Sequence, residues 1–383
     1  MANNSILYWK WDDSIFDGTL RERIGDLCGR TKMQSVFVAL HWVKRSLFDK
    51  ELVETVKVCG RELHQRGRKL YLEVCPRNEG AVFFERTPGQ TAYLTTPTEI
   101  KLDLSGRGSK EIHTIRVPHY WRINTQTKER ILAAYTLTKN GDTGFVGSSV
   151  RNAERWVCLR EEGESEQGER LLKISVDAGE QRGGQSAVVF AGIPQAIPDL
   201  ASEDLPMLYA DMLDLFSEGD IDGVCSDEWG YDVWLKTREA GEEGTSLYER
   251  WCYLEHIPYS ENFAKKYYEM GNGQLKRDLL NFFYIEDGDL SRSIAKVNAY
   301  HASFRATMRK NDEDMYRTAK AGLGLDTFYG VHPTWWGSNT LQNLEGFKNG
   351  FYWWEAKRDI AQTDEAVILP IRTALAHKWK SPI

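Results

Sequence analysis

The sequence predicts an α/β fold, a (β/α)8 barrel of the TIM type that carries an inserted antiparallel β domain, and three observations predict it. Short β-branched apolar runs alternate with amphipathic helical segments at both ends of the chain, as buried parallel strands and their crossovers do. Between them lies a block of segments with two-residue alternation that no helical period interrupts. No GxGxxG fingerprint follows an early strand, which removes support for a dinucleotide-binding domain.

The elements follow in order. Residues 34–40 (QSVFVAL) form a strand buried on both faces. Residues 48–68 have helical spacing, with Leu52, Val53, Val56, Val58, Cys59 and Leu63 on one side and charged residues on the other. Residues 69–75 (KLYLEVC) are a second buried strand, completing a βαβ unit. From 87 to 180 the segments 99–104, 111–117, 131–138, 155–159 and 171–176 alternate between turns rich in Gly, Asn and Asp, with 161–169 (EEGESEQGE) as an exposed loop. This block reads as a sandwich-like insertion.

The α/β pattern resumes with a strand at 187–191 (AVVFA), a helix at 202–216 and a strand at 221–226 (IDGVCS). Helical stretches at 247–268 and 290–309 precede strands at 324–331 and 351–355, and a helix at 363–378 comes last. Residues 1–86 are thus the first part of the barrel, 87–180 the insertion, and 181–383 the continuation through about strand six. A seventh strand should begin where the chain stops, so the sequence reads as a C-terminally incomplete piece of a longer protein; the alternative is a partial barrel closed by a partner chain.

Composition narrows the function. Of 383 residues, 49 are basic and 56 acidic, a net charge of −7 that argues against a nucleic-acid partner. The longest nearly apolar run, residues 36–43, is far short of the roughly 18 residues a membrane span needs. No signal peptide is visible, so a cytoplasmic protein, or one that has lost its leader, is expected. Cys28, Cys59, Cys75, Cys158, Cys225 and Cys252 show no paired spacing and read as reduced thiols. Thirteen Trp and seventeen Tyr suit a site for something with apolar faces and polar edges, which describes a sugar.

In a barrel the site lies at the C-terminal strand ends. There the sequence places His41 and Trp42, Asn78, Asp227-Glu228-Trp229, His332 with Trp335 and Trp336, and Trp354-Glu355 with Asp359 beyond. Asp227 and Glu228 are adjacent and cannot face the same way, so one can project over the mouth while the other orients loops. A carboxyl beside Trp229 is partly desolvated, which raises its pKa toward that of a general acid; an N-cap or surface ion pair is the plain structural alternative. For His332 and the paired tryptophans the alternative is an aromatic core with one satisfied histidine. A carboxylic acid, a second carboxylate and aromatic platforms are what glycoside hydrolysis requires.

The pattern resembles the barrel glycoside hydrolases of family 106, the α-L-rhamnosidase type. It comprises an opening aromatic stretch from Tyr8 through Trp9 and Trp11 to Asp13, a strand ending in His41, the early β insertion, Pro198-Asp199-Leu200 opening a helix, and a GxxxDE strand end from Gly223 to Glu228. This chain has SDEWG where relatives often have a TDEP-like motif, Trp229 standing in place of Pro. The resemblance implies that Glu228 is the general acid, that Asp227 belongs to the same site, that the partner carboxylate follows strand seven beyond Ile383, and that calcium can be bound, although family calcium ligands do not map onto this chain. The expected partner is an oligosaccharide or glycoside. Two rival readings are a non-catalytic carbohydrate-binding barrel and a metal-dependent barrel isomerase or hydrolase using His41, Glu73 and His332.

Overall fold

The computed structural model describes residues 6–74, 76–102, 110–117, 127–166, 170–177, 184–216, 219–227, 257–332 and 351–352. The chain begins with strand β1 (Ile6–Asp12), helix α1 (Leu20–Arg30), β2 (Ser35–Trp42), α2 (Lys50–His64), β3 (Lys69–Val74) and α3 (Pro76–Arg86). Next come β4 (Tyr93–Lys101), β5 (Lys110–Val117), β6 (Arg130–Leu137), the short β7 (Lys139–Asn140), β8 (Gly144–Phe145) and β9 (Arg151–Asn152), then β10 (Val157–Glu164), β11 (Arg170–Asp177) and β12 (Ser186–Pro194). After α4 (Leu205–Asp214) and β13 (Gly223–Asp227) follow β14 (Ile257–Tyr259), α5 (Glu261–Glu269), α6 (Leu275–Phe283), β15 (Ile285–Glu286), α7 (Leu290–Leu323), β16 (Phe328–His332) and β17 (Phe351–Tyr352). The fold is mixed α/β and divides into two compact units, one of Met1–Pro88, Ser202–Gly230 and Arg305–Ile383, the other of Gly89–Ala201 and Tyr231–Phe304.

The first unit is built on a six-stranded parallel sheet in the order β1-β2-β3-β13-β16-β17, the order in which the chain makes the strands. Val36 to Leu40 of β2 are all buried, which explains their unbroken apolar run. On one side of the sheet Phe37, Ala39, Tyr71 and Cys225 form a buried cluster that Ile6, Tyr8 and Phe328 pack against. Helix α2 starts where the Asp49 carboxylate accepts the N–H groups of Glu51 and Leu52 at 3.0 and 3.1 Å. It buries Leu52, Val56, Cys59 and Leu63 along one stripe. Gly60 on that stripe meets the backbone before β13 so closely that a Cβ would lie 1.8 Å from the Asp220 carbonyl oxygen. Among the described residues the sheet is open, with β1 and β17 at its edges.

The second unit holds a five-stranded sheet, β14-β4-β12-β6-β9, and a three-stranded sheet, β10-β11-β5, both antiparallel. Ile100, Leu102, Ala134, Val189 and Ala191 from the first sheet and Ile174 and Val176 from the second form one core. A short third sheet, β15-β8-β7, completes the unit. The Phe190 ring of β12 lies 6.1 Å from that of Phe283 on α6.

Three strands differ from the sequence reading, one of them β14, which lies within the stretch 247–268 read as helical, the helix there starting only at Glu261. Residues 187–191, read as a return to parallel strands, lie in β12, which pairs antiparallel with both β4 and β6. Every residue of β12 is buried, so the strand lacks the alternation that marks an antiparallel strand with one wet face. In the other direction, β1 is a parallel strand that the count of barrel strands omitted, because Trp9, Lys10 and Trp11 interrupt its β-branched character. Six parallel strands result in both counts, with different members. The expected loop at 161–169 is partly strand, since β10 runs to Glu164 and pairs with β11. The expected helix at 363–378 lies outside the described residues.

Candidate active site

The C-terminal ends of β1, β2, β3, β13 and β16 lie side by side along the parallel sheet of the first unit. β1 ends in Asp12, whose register partner is Trp42 at the end of β2. The Asp12 carboxylate accepts the Ser14 N–H at 2.9 Å, and its hydrogen bonds with Ser14 hold it below the ordinary carboxylate pKa. Asp13 accepts the Lys44 N–H at 3.1 Å, stitching the turn after β1 to the one after β2. The Arg45 guanidinium lies 4.2 Å from the Phe16 ring centroid and pairs with Asp49 and Glu51, which fixes the other side of that turn. Trp42 itself is 57% exposed, an unusual state for the largest apolar side chain.

Glu73 stands one residue before the end of β3 and is 1% exposed. Its Oε1 accepts the Leu40 N–H of β2 at 3.0 Å. The register partner of Glu73 on β13 is Cys225, and Cys225 in turn pairs with Gly330 on β16. Two residues further along, Asp227 pairs with His332. Beneath these ends the rings of Tyr8 and Phe37 stack at 5.3 Å and those of Tyr71 and Phe328 at 4.2 Å. The parallel sheet therefore carries an aromatic layer, then Ala39, Glu73, Cys225 and Gly330, then a polar rim at its strand ends.

Of the residues expected in the site, His41 and Trp42 close β2, Asn78 lies in the first turn of α3, Asp227 closes β13 and His332 closes β16. Strand pairing brings Asp227 and His332 together. The side chains of His41, Asn78, Asp227 and His332 lie outside the described residues, as do Glu228, Trp229, Trp335, Trp336, Trp354, Glu355 and Asp359 in full. Asp12 was not singled out by the sequence as a site residue, and Glu73 only as a metal ligand. The signal for Glu73 was a carboxylate inside an otherwise apolar run, KLYLEVC. Among the described residues no group of three or more His, Cys, Asp or Glu side chains could hold a metal ion. No described helix is long and apolar enough to cross a membrane.

No protein-family model and no curated protein matches the chain. Among solved structures it is similar to a rhamnosidase from Novosphingobium sp. PP1Y, with 7% sequence identity and a TM-score of 0.44 over 93% of this chain and 49% of that one. The chain thus spans about half the length of that rhamnosidase.

Proposed function

We propose that the chain carries the site of a glycoside hydrolase at the mouth of a barrel. The observation that carries this reading is the register pair Asp227 and His332 at the C-terminal ends of neighbouring parallel strands, with Glu228 next in the chain after Asp227. Barrel closure is supported by strand order. The strands are laid down in sequence without reversal, and where crossovers follow the right-handed rule such an order puts the helices on one face of the sheet. The other face, with Phe37, Ala39, Glu73 and Cys225, is nonetheless buried, as it is when a sheet curls so that its own side chains fill the interior.

In this mechanism Glu228 is the catalytic acid that gives its proton to the glycosidic oxygen as the leaving group departs. A second carboxylate either attacks the anomeric carbon or activates a water, and Asp227 holds the loop that presents Glu228. Trp42 is a platform for a sugar ring, and His332 with Trp335 and Trp336 belongs to the same rim, as do Trp354 and Asp359. The Asp227-Glu228 strand end is what the chain shares with the α-L-rhamnosidase-type motif, and Trp229 in place of its Pro leaves the choice of sugar to the substrate panel.

The test is turnover of a panel of aryl glycosides by the full chain and by its Glu228→Gln variant. A loss of roughly 10²–10⁴-fold in kcat supports the assignment. Equal turnover by the variant removes Glu228 from the mechanism, and calorimetric sugar binding with no product by the unaltered chain would favour a carbohydrate-binding protein.

A further inference from the structure

Two irregularities coincide at the end of β2. The pairing of β2 with β3 runs from Ser35 opposite Lys69 to Val38 opposite Leu72, and at Leu40, where the next backbone bond toward β3 would fall, the N–H is taken by the Glu73 side chain. On its other side β2 gains a residue against β1: Lys10 pairs with Ala39, but Asp12 pairs with Trp42, so two steps on β1 match three on β2. An extra residue in a ladder changes which residue stands at each later position and is a recurrent way of presenting side chains beside a site. Without it the partner of Asp12 would be His41; with it the partner is Trp42.

We propose that Glu73 is a positioning residue for this site, its buried side chain holding the Leu40 N–H and with it the end of β2, so that Trp42 stands opposite Asp12. The proposal rests on reading the strand ends as the sugar site. A carboxyl oxygen is suited to the task because it can accept the buried Leu40 N–H and leave no donor unpaired there.

The test uses the full chain, its Glu73→Gln variant, which keeps a weaker acceptor, and its Glu73→Met variant, which keeps the length and has none. Amide hydrogen exchange is read on the peptide spanning residues 39–44, and KM and kcat on the aryl glycoside that the unaltered chain turns over. The expected order of exchange at Leu40 to Trp42 is Met above Gln above the unaltered chain, with about a tenfold rise for Met. KM is expected to rise in the same order, with partial rescue by Gln. Exchange at 40–42 that stays unchanged in both variants would overturn the proposal, as would a rise spread evenly over β2 and β3. Should the Met variant fail to fold, the comparison of Gln with the unaltered chain decides by the same readout. Absence of turnover in the unaltered chain would sink the hydrolase reading alone, because the exchange measurement needs no substrate.

Discussion

One oxygen of Asp222 accepts the Leu70 N–H at 2.8 Å and lies 2.7 Å from His64 Nε2, tying the start of β3, the end of α2 and the approach to β13 at a single point. All three belong to the first unit, and Asp222 reaches the other two from more than 150 residues away in sequence. Replacing Asp222 with Ala leaves the Leu70 N–H without this acceptor, at a cost of about 1–3 kcal/mol. A urea titration should show a lower midpoint with an unchanged slope. An unchanged midpoint would mean that water replaces the carboxylate at no cost.

Gly60 tests which of two opposing effects wins. In an isolated helix Gly to Ala gains about 1 kcal/mol from propensity. Here the new Cβ would lie 1.8 Å from the Asp220 carbonyl oxygen, a backbone atom that cannot swing aside. Overpacking of this kind costs about 1–3 kcal/mol or more, so Gly60→Ala should destabilise the first unit on balance. A thermal midpoint raised above that of the unaltered chain would show that α2 can shift away from β13.

In the second unit Asp278 is nearly buried between the Tyr267 hydroxyl and Lys296 Nζ, each at 2.9 Å. Burial, followed by the charge of Asp278, pushes the Tyr267 phenol well above its ordinary range, so it stays a donor at any working pH. Asp278→Ala strips the Tyr267 hydroxyl of this acceptor and leaves Lys296 with the Asn272 carbonyl, and should cost about 1–3 kcal/mol. Asp278→Asn, which still accepts from Tyr267, should cost less. Equal losses in the two variants, read by calorimetry, would assign the effect to packing instead of to hydrogen bonding.

How far these features could be read in advance depended on burial pattern. Parallel strands β2, β3, β13 and β16 stood out because both faces are covered and their apolar runs are continuous. β12 gave the same signal for a different reason, lying wholly buried within an antiparallel sheet, and periodicity alone cannot separate the two cases. β1 was hidden by its position at the edge of the described sheet, where Lys10 and Asp12 are exposed, Ile6 to Trp9 are half-buried and Trp11 alone is buried. At the site, the rule that strand ends carry function located His41, Trp42, Asp227 and His332 on their strands. The pairing of Asp12 with Trp42 was not legible, since it depends on a single extra residue in β2 that leaves no compositional trace.

Asp49 predicts the acid limb of stability. Its carboxylate is held below the usual value chiefly by the Leu52 N–H, with Arg45 adding to the effect. A depressed carboxylate contributes fully above its unfolded pKa, near 3.9, and the contribution disappears as pH falls through the lower folded value. The window is therefore below about pH 4. Asp49→Ala should cost about 1 kcal/mol at pH 7, and the gap to the unaltered chain should narrow in unfolding curves taken at falling pH. A gap that is constant down to pH 2 would assign the cap to geometry without charge.

Trp42 and Trp11 separate structure from binding on the same sheet. Trp11 is 1% exposed, so Trp11→Ala empties a core position and should cost about 3–5 kcal/mol. Trp42 is 57% exposed, so its truncation removes less buried area and should cost less stability than Trp11→Ala. If the ring is a sugar platform, the same change should weaken binding of the glycoside by about tenfold, since an aromatic stacking contact is worth about 0.5–1.5 kcal/mol. Calorimetric titration of the full chain and of Trp42→Ala with one ligand provides both numbers when paired with a melting curve. A stable variant with weakened binding places a sugar against Trp42, whereas a stable variant that binds unchanged would leave the ring's exposure without a role in recognition and move the platform to the rim residues after β16.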